Sequence, residues 1–133
     1  MQLSTTLRNT LADAVDTAVG ATGRARFYTS GLSSLLASAT LNNPAFGAAA
    51  TGVITLDVTP AVEDTSPAAA GTCVRLGFYA NGTATSGAFV FMLGVATSGS
   101  PDCTMSNNVI ATTDTVQLSS LTVTVPAGTP DVT

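Results

Sequence analysis

The hydrophobic pattern of the chain changes period once. Between Leu3 and Val19, apolar residues recur every fourth position, at Leu3, Leu7, Leu11, Val15 and Val19, and Ala14 and Ala18 widen the stripe. This is the spacing of one face of an amphipathic α-helix. Ser4 or Thr5 can cap its start by accepting backbone N–H bonds, and Gly20 and Gly23 supply the backbone freedom that ends it. The pattern therefore predicts a helix within residues 1–20. Asp13 and Asp16 fall late in it, where the helix dipole disfavours anions, which predicts solvent or an external partner on that side.

From Arg24 the period is two. Ala25, Phe27 and Thr29 alternate with Arg26, Tyr28 and Ser30, so Arg24 and Arg26 share a face. Leu35, Ala37, Ala39 and Leu41 then alternate with Leu36, Ser38 and Thr40 until Asn42-Asn43-Pro44 breaks the run. Val53 to Val58 is an expected strand with Ile54, Leu56 and Val58 inward, entered through an irregular Gly- and Ala-rich stretch, Gly47 to Gly52. Thr59 to Gly71, with Pro60, Pro67 and the adjacent acids Glu63 and Asp64, is the longest expected loop and a candidate contact arm.

Cys73 to Ala80 follows, with Val74, Leu76 and Phe78 on one face and Cys73, Arg75, Gly77 and Tyr79 on the other. Asn81-Gly82 predicts a hairpin turn into a return strand, Gly87 to Ala96, with Phe89, Phe91, Leu93 and Val95 in phase. A second turn is expected at Thr97 to Asp102 and a short strand at Val109 to Ala111. A final long strand is expected from Val116 to Val125, with a bulge at Ser119-Ser120 where the apolar phase slips. Residues 126–133 read as a polar tail, frayed or docked on a neighbour. The sum is a mostly β fold, one domain over 1–133. It comprises an N-terminal amphipathic helix and, over 24–125, a β-sandwich or jelly-roll-like barrel of about seven or eight strands.

Composition narrows the functional classes. Charged residues are 9% of the chain, against about 25% in an average soluble domain. The only basic residues are Arg8, Arg24, Arg26 and Arg75, and the net charge is −4. Nucleic acid and anionic membranes, which require clustered Lys and Arg, are therefore disfavoured partners. Polarity comes from Thr, Ser and Asn instead, which suits strand surfaces, and so sparse a charge suits a protein that stays docked in an assembly. Met1 to Val19 lacks a basic segment followed by an apolar run, and no apolar stretch reaches the roughly 18 residues of a membrane span, so a chain made in a host cytoplasm is expected.

The chemistry available is thin. Histidine and lysine are absent, which removes the usual general base, metal ligand and Schiff-base former, and no serine has a recognisable activating partner. Glu63-Asp64, or Glu63 with Asp57 or Asp114, are the only carboxylate combinations for acid–base work, and a solvated loop or a partner contact is the preferred reading for them. Cys73 and Cys103 read first as small core residues and second as a disulfide formed after release into an oxidising medium. A metal site on two thiolates is disfavoured. Asp102 would raise the neighbouring Cys103 thiol pKa and blunt its reactivity. Asn81-Gly82-Thr83 matches a glycosylation acceptor but reads first as a turn. No cofactor is expected, and no enzymatic activity.

Two blocks of sequence carry a resemblance. The first joins Leu7, Arg8, Asn9, Leu11, Asp13 and Ala14 to Thr17, Ala18, Gly20, Ala21 and Gly23, and then to Arg24, Arg26, Phe27, Tyr28, Thr29 and Gly31. The second is NPAFGAAATGVITL, from Asn43 to Leu56. Together they resemble a group of small structural proteins of tailed-bacteriophage and prophage virions, which usually carry extra residues where this chain is short, around Gly31 to Ser34. The resemblance implies a virion component. A capsid decoration or cement protein is the leading expectation, docking on a phage capsid or tail protein and on other copies of itself, with a trimer expected on a capsid. A tail, baseplate or host-recognition (fibre attachment) component is the alternative. The residues expected at the interface are Arg24, Arg26, Tyr28, Glu63, Asp64, Arg75 and Tyr79, since arginine and tyrosine are enriched where proteins meet.

Overall fold

The computed structural model describes residues 1–80, 87–99, 103–105 and 107–128. The fold is mostly β, with 39% strand and 15% helix among the described residues. It opens on α1 (Thr5–Val19), capped at its start by Ser4, whose Oγ accepts the Leu7 N–H at 3.2 Å. Gly20, at φ +70°, ends it and donates to Asp16 O. The four-residue repeat is buried at its C-terminal end, where Ala12 joins it, and exposed in its middle. Ala12 and Val19 are fully buried and Val15 partly so, while Leu7 and Leu11 are each 44% exposed. A repeat of four drifts by about 40° per step against 3.6 residues per turn, so such a stripe cannot stay on one face for four turns.

The strands follow as β1 (Arg24–Tyr28), β2 (Leu35–Thr40), β3 (Val53–Thr55), β4 (Val62–Asp64), β5 (Gly71–Thr72), β6 (Arg75–Ala80), β7 (Ala88–Ala96), β8 (Cys103–Thr104), β9 (Val109–Ile110), β10 (Val116–Leu118) and β11 (Thr122–Thr124). One five-stranded sheet, in the order β2-β1-β6-β7-β8, is the backbone of the fold. Its first four strands are antiparallel and β8 joins β7 in parallel. The other ladders are short antiparallel pairs: β10 with β4, β11 with β3 and β5 with β9. The architecture is sandwich-like. One layer is the sheet, and α1 with the short ladders makes the other, packed over its inner face.

The core lies between those layers. Phe27 of β1 and Leu76 and Phe78 of β6 are buried from the sheet side, and Ile54, Leu56, Val62 and Leu118 from the other. The rings of Phe78 and Phe91 stack at 4.4 Å and 8°, with Phe46 tilted at 6.2 Å on Phe78. Contacts of this type add about 0.5–1.5 kcal/mol each beyond the area they bury.

Several expected elements take a different form. The long final strand is two strands, because β10 pairs with β4 and β11 with β3, and Leu121 O between them accepts Leu56 N. The expected bulge at Ser119-Ser120 is therefore a switch between partners. The expected loop at Thr59 to Gly71 contains β4. Two register shifts also move side chains between faces. One at Phe27/Tyr28 lets Leu36 bury beside Ala37, and one at Phe78/Tyr79 places Phe89 on the opposite face from Phe91. The Asn81-Gly82 turn, with its glycosylation motif, and Asp102 lie outside the described residues.

The start of the tail is docked on its own chain. Leu3 N donates to Ala127 O, and Gly128 is so close to Met1 O that a side chain would not fit there. Among the described residues no helix is long and apolar enough to cross a membrane.

Candidate functional site

Alternation along β1 and β6 sends Arg24, Arg26 and Tyr28 to the outer face of the sheet, opposite Tyr79, Gly77 and Arg75 respectively. Three of the four arginines of the chain thus meet on one surface, and β1, β2, β6 and β7 carry no acidic residue. The face is built around Arg26, which is 3% exposed and lies with its guanidinium carbon 4.3 Å from the centre of the Tyr79 ring. A cation over an aromatic face is attracted by the ring quadrupole, the more so where water is excluded.

Gly77 makes this possible. A Cβ there would stand 2.8 Å from the Tyr79 ring and 3.1 Å from the end of Met92, so the missing side chain is the space into which Tyr79 leans. Tyr28 flanks Tyr79 at 6.3 Å and Phe89 meets it edge-on at 5.8 Å. Burial pushes the Tyr79 hydroxyl up to about 12, reinforced by its hydrogen bond with Tyr28 and by the charge Tyr28 would carry; the neighbouring Arg26 cation pulls the other way. Phe89, 59% exposed, and the exposed Arg75 form the outermost part of the surface.

Five of the seven residues expected at an interface are gathered here: Arg24, Arg26, Tyr28, Arg75 and Tyr79. Arg26 is the buried support of the face rather than its contact point. Glu63 and Asp64 are elsewhere, on β4. Glu63 is exposed opposite Gln117, whereas Asp64 is engaged within the fold: its Oδ2 accepts Ser38 N at 2.8 Å and its Oδ1 accepts Ser66 N at 2.9 Å. Asp64 therefore closes the free edge of β2 instead of belonging to a contact arm. The sequence pattern missed Phe89 because the register shift that moves it leaves no mark in the alternation.

The same commitment holds for every aspartate among the described residues. Asp13 Oδ1 accepts Ala49 N, Asp16 Oδ1 accepts Phe46 N, and Asp57 and Asp114 accept Thr59 N and Ala111 N, all at 2.8–2.9 Å. Asn9 Oδ1 accepts Gly52 N at 2.7 Å, and Arg8 Nε donates to Val125 O at 2.9 Å. One side of α1 thus holds the backbone of residues 46–52, and the partner expected for Asp13 and Asp16 is this chain itself. The two resembling blocks of sequence are the two halves of that clasp. The signal was present as Asn9, Asp13 and Asp16 at helical spacing beside a segment too poor in large side chains to pack by itself.

The acid–base candidates Asp57 and Asp114 are turn-closing groups. Among the described residues no three His, Cys, Asp or Glu side chains come together as metal ligands. Cys73 and Cys103 are not joined in a disulfide. Cys73 is fully buried, on the core side rather than the outer face its alternation suggested, because the chain breaks from β5 to β6 at Cys73-Val74. Burial pushes its thiol up, with backbone hydrogen bonds opposing and nearby Cys103 adding slightly. Cys103, partly buried at the margin of the core, lines a cavity of about 210 Å³ with Phe27, Met105 and Leu118. Comparison of the chain with protein-family models, with curated proteins and with solved structures finds no match.

Proposed function

We propose that this protein is a structural component of a phage virion, a decoration or cement protein of the capsid that stabilises the head by docking its arginine–aromatic sheet face on a neighbouring protein. The observation that carries this reading is the division of labour among its polar groups. The described aspartates, with Arg8 and Asn9, hold the fold's own backbone, while the outer sheet face carries Arg24, Arg75, Tyr28, Tyr79 and Phe89 with no acid on its strands. Arg, Tyr and Phe are the residues enriched at the centres of protein interfaces. The protein face that fits it is acidic or carbonyl-rich with an apolar centre, and the resemblance of the N-terminal half to virion proteins supports placing that face in a particle.

The test is addition of purified protein to empty capsids. Binding in hundreds of copies per head, with a higher rupture temperature, supports decoration. Absence of binding together with a count of roughly three to twelve copies per particle would move the protein to the tail or baseplate.

A further inference from the structure

The charged residues of α1 are all bound to backbone of other segments. Arg8 Nε donates to Val125 O at 2.9 Å, and the Asp13 and Asp16 carboxylates accept Ala49 N and Phe46 N at 2.8 Å. The opposite side of the helix is left without charge, although a helix face in water ordinarily carries it. Leu7 and Leu11 are each 44% exposed on that side, and Ala14 and Ala18 are exposed beside them. At 3.6 residues per turn these four fall within about 60° of arc, roughly 120° round the helix from the buried Ala12 and Val19. Their steps of four, three and four residues are those of the a/d seam of a helix pair. The exposed threonines beside the seam add no free donor. Thr10 Oγ1 donates back to Thr6 O at 3.0 Å and Thr17 Oγ1 to Asp13 O at 3.1 Å.

We infer that α1 pairs with α1 of a second copy, antiparallel, across a two-fold axis that passes between Leu11 and Ala14. The stripe runs large, large, small, small from Leu7 to Ala18. Reversed on itself, it sets Leu7 against Ala18 of the second copy and Leu11 against its Ala14, so every large side chain meets a small one and the two surfaces interlock. A parallel copy, as on a three-fold axis along the helix, would set Leu on Leu at one end and leave Ala facing Ala at the other. The charge pattern agrees. The seam is neutral, so two copies that each carry a net charge of −4 meet where no like charges are opposed. The helix dipoles run in opposite directions, which is the favourable arrangement. The contact is one helix wide and falls below the roughly 1,200 Å² of a stable interface, which places the dissociation constant in the micromolar to millimolar range. Because α1 packs over the inner face of the sheet, the pairing leaves the arginine–aromatic face of each copy uncovered.

Sedimentation velocity over a concentration series reaching the millimolar range tests this. The expected result is a monomer–dimer equilibrium whose dissociation constant rises roughly tenfold or more in Ala14→Glu, which sets a carboxylate against Leu11 of the second copy. Leu11→Ala alone should weaken the dimer several-fold. The double variant Leu11→Ala with Ala14→Leu should return to within about threefold of the wild type, because the large and small members of one pair exchange places. All three positions of change are exposed in the monomer, and circular dichroism of dilute protein checks that each variant keeps the fold. Arg24→Glu with Arg75→Glu should leave the dimer unchanged, which separates this inference from face docking. A monomer at every concentration, a trimer, a dimer indifferent to Ala14→Glu, or a double variant no tighter than Leu11→Ala would overturn it.

Discussion

At the scale of single residues, small side chains and polar caps decide where the large groups go. Gly77 admits Tyr79, and Tyr79 covers Arg26. Gly77→Ala should therefore lower stability by about 1–3 kcal/mol, as overpacking does, and displace the Tyr79 ring. Thermal melting measures the first effect, and absorbance titration measures the second as a tyrosine that ionises closer to pH 10. The wild-type titration should show one tyrosine ionising near pH 12. Because folding favours the neutral hydroxyl, its contribution is complete below pH 10 and is lost as the pH rises towards 12. Denaturant melts across that range should thus fall more steeply for the wild type than for Tyr79→Phe.

At this scale the sequence was partly legible. Two arginines on one face of one strand with Tyr28, and Arg75 with Tyr79 on one face of another, can be read from alternation alone; that these two strands are neighbours cannot. The near-complete burial of Arg26 cannot, because it depends on a neighbour across the sheet and on an absent side chain.

At the scale of elements, the helix is held from two sides by different means. Ala12 and Val19 pack inward, while Arg8, Asn9, Asp13 and Asp16 grip backbone atoms of residues 46–52 and of Val125. Leaving a part-buried amide without its acceptor costs about 1–3 kcal/mol, and an exposed one costs less because water replaces the bond. Asn9→Ala and Asp16→Ala should accordingly destabilise more than Asp13→Ala, whose bond to Ala49 is exposed. By contrast Leu7→Ser and Leu11→Ser, on the exposed side of α1, should shift stability by no more than about 0.5 kcal/mol. Urea melts of the five variants check the order, and a large loss from Leu11→Ser would mean that the stripe read from the sequence packs after all.

The helix, its Ser4 cap and its glycine end were legible because they are local. The break between β10 and β11 was not. A phase slip at Ser119-Ser120 signals a disturbance, but whether it is a bulge or a change of partner depends on β4 and β3, about 60 residues earlier in the chain. The parallel pairing of β8 with β7 leaves no mark in the alternation for the same reason.

At the scale of the whole molecule, charge sparsity acquires a structural meaning. Aspartates that would otherwise carry surface charge are bound to backbone amides, and three of four arginines are gathered on one sheet face. Composition alone pointed to a protein that works through contact, and the mostly β class followed from alternation. Which surface makes the contact emerges only from the strand order, since β1 and β6 are almost 50 residues apart in sequence yet adjacent in the sheet.

We propose that this face is where the protein acts. Co-sedimentation with empty capsids, comparing the wild type with the double variant Arg24→Glu and Arg75→Glu, tests it most directly. The expected result is saturable binding of the wild type and loss of binding by a variant whose circular dichroism is unchanged; equal binding by both proteins, or by neither, would contradict it.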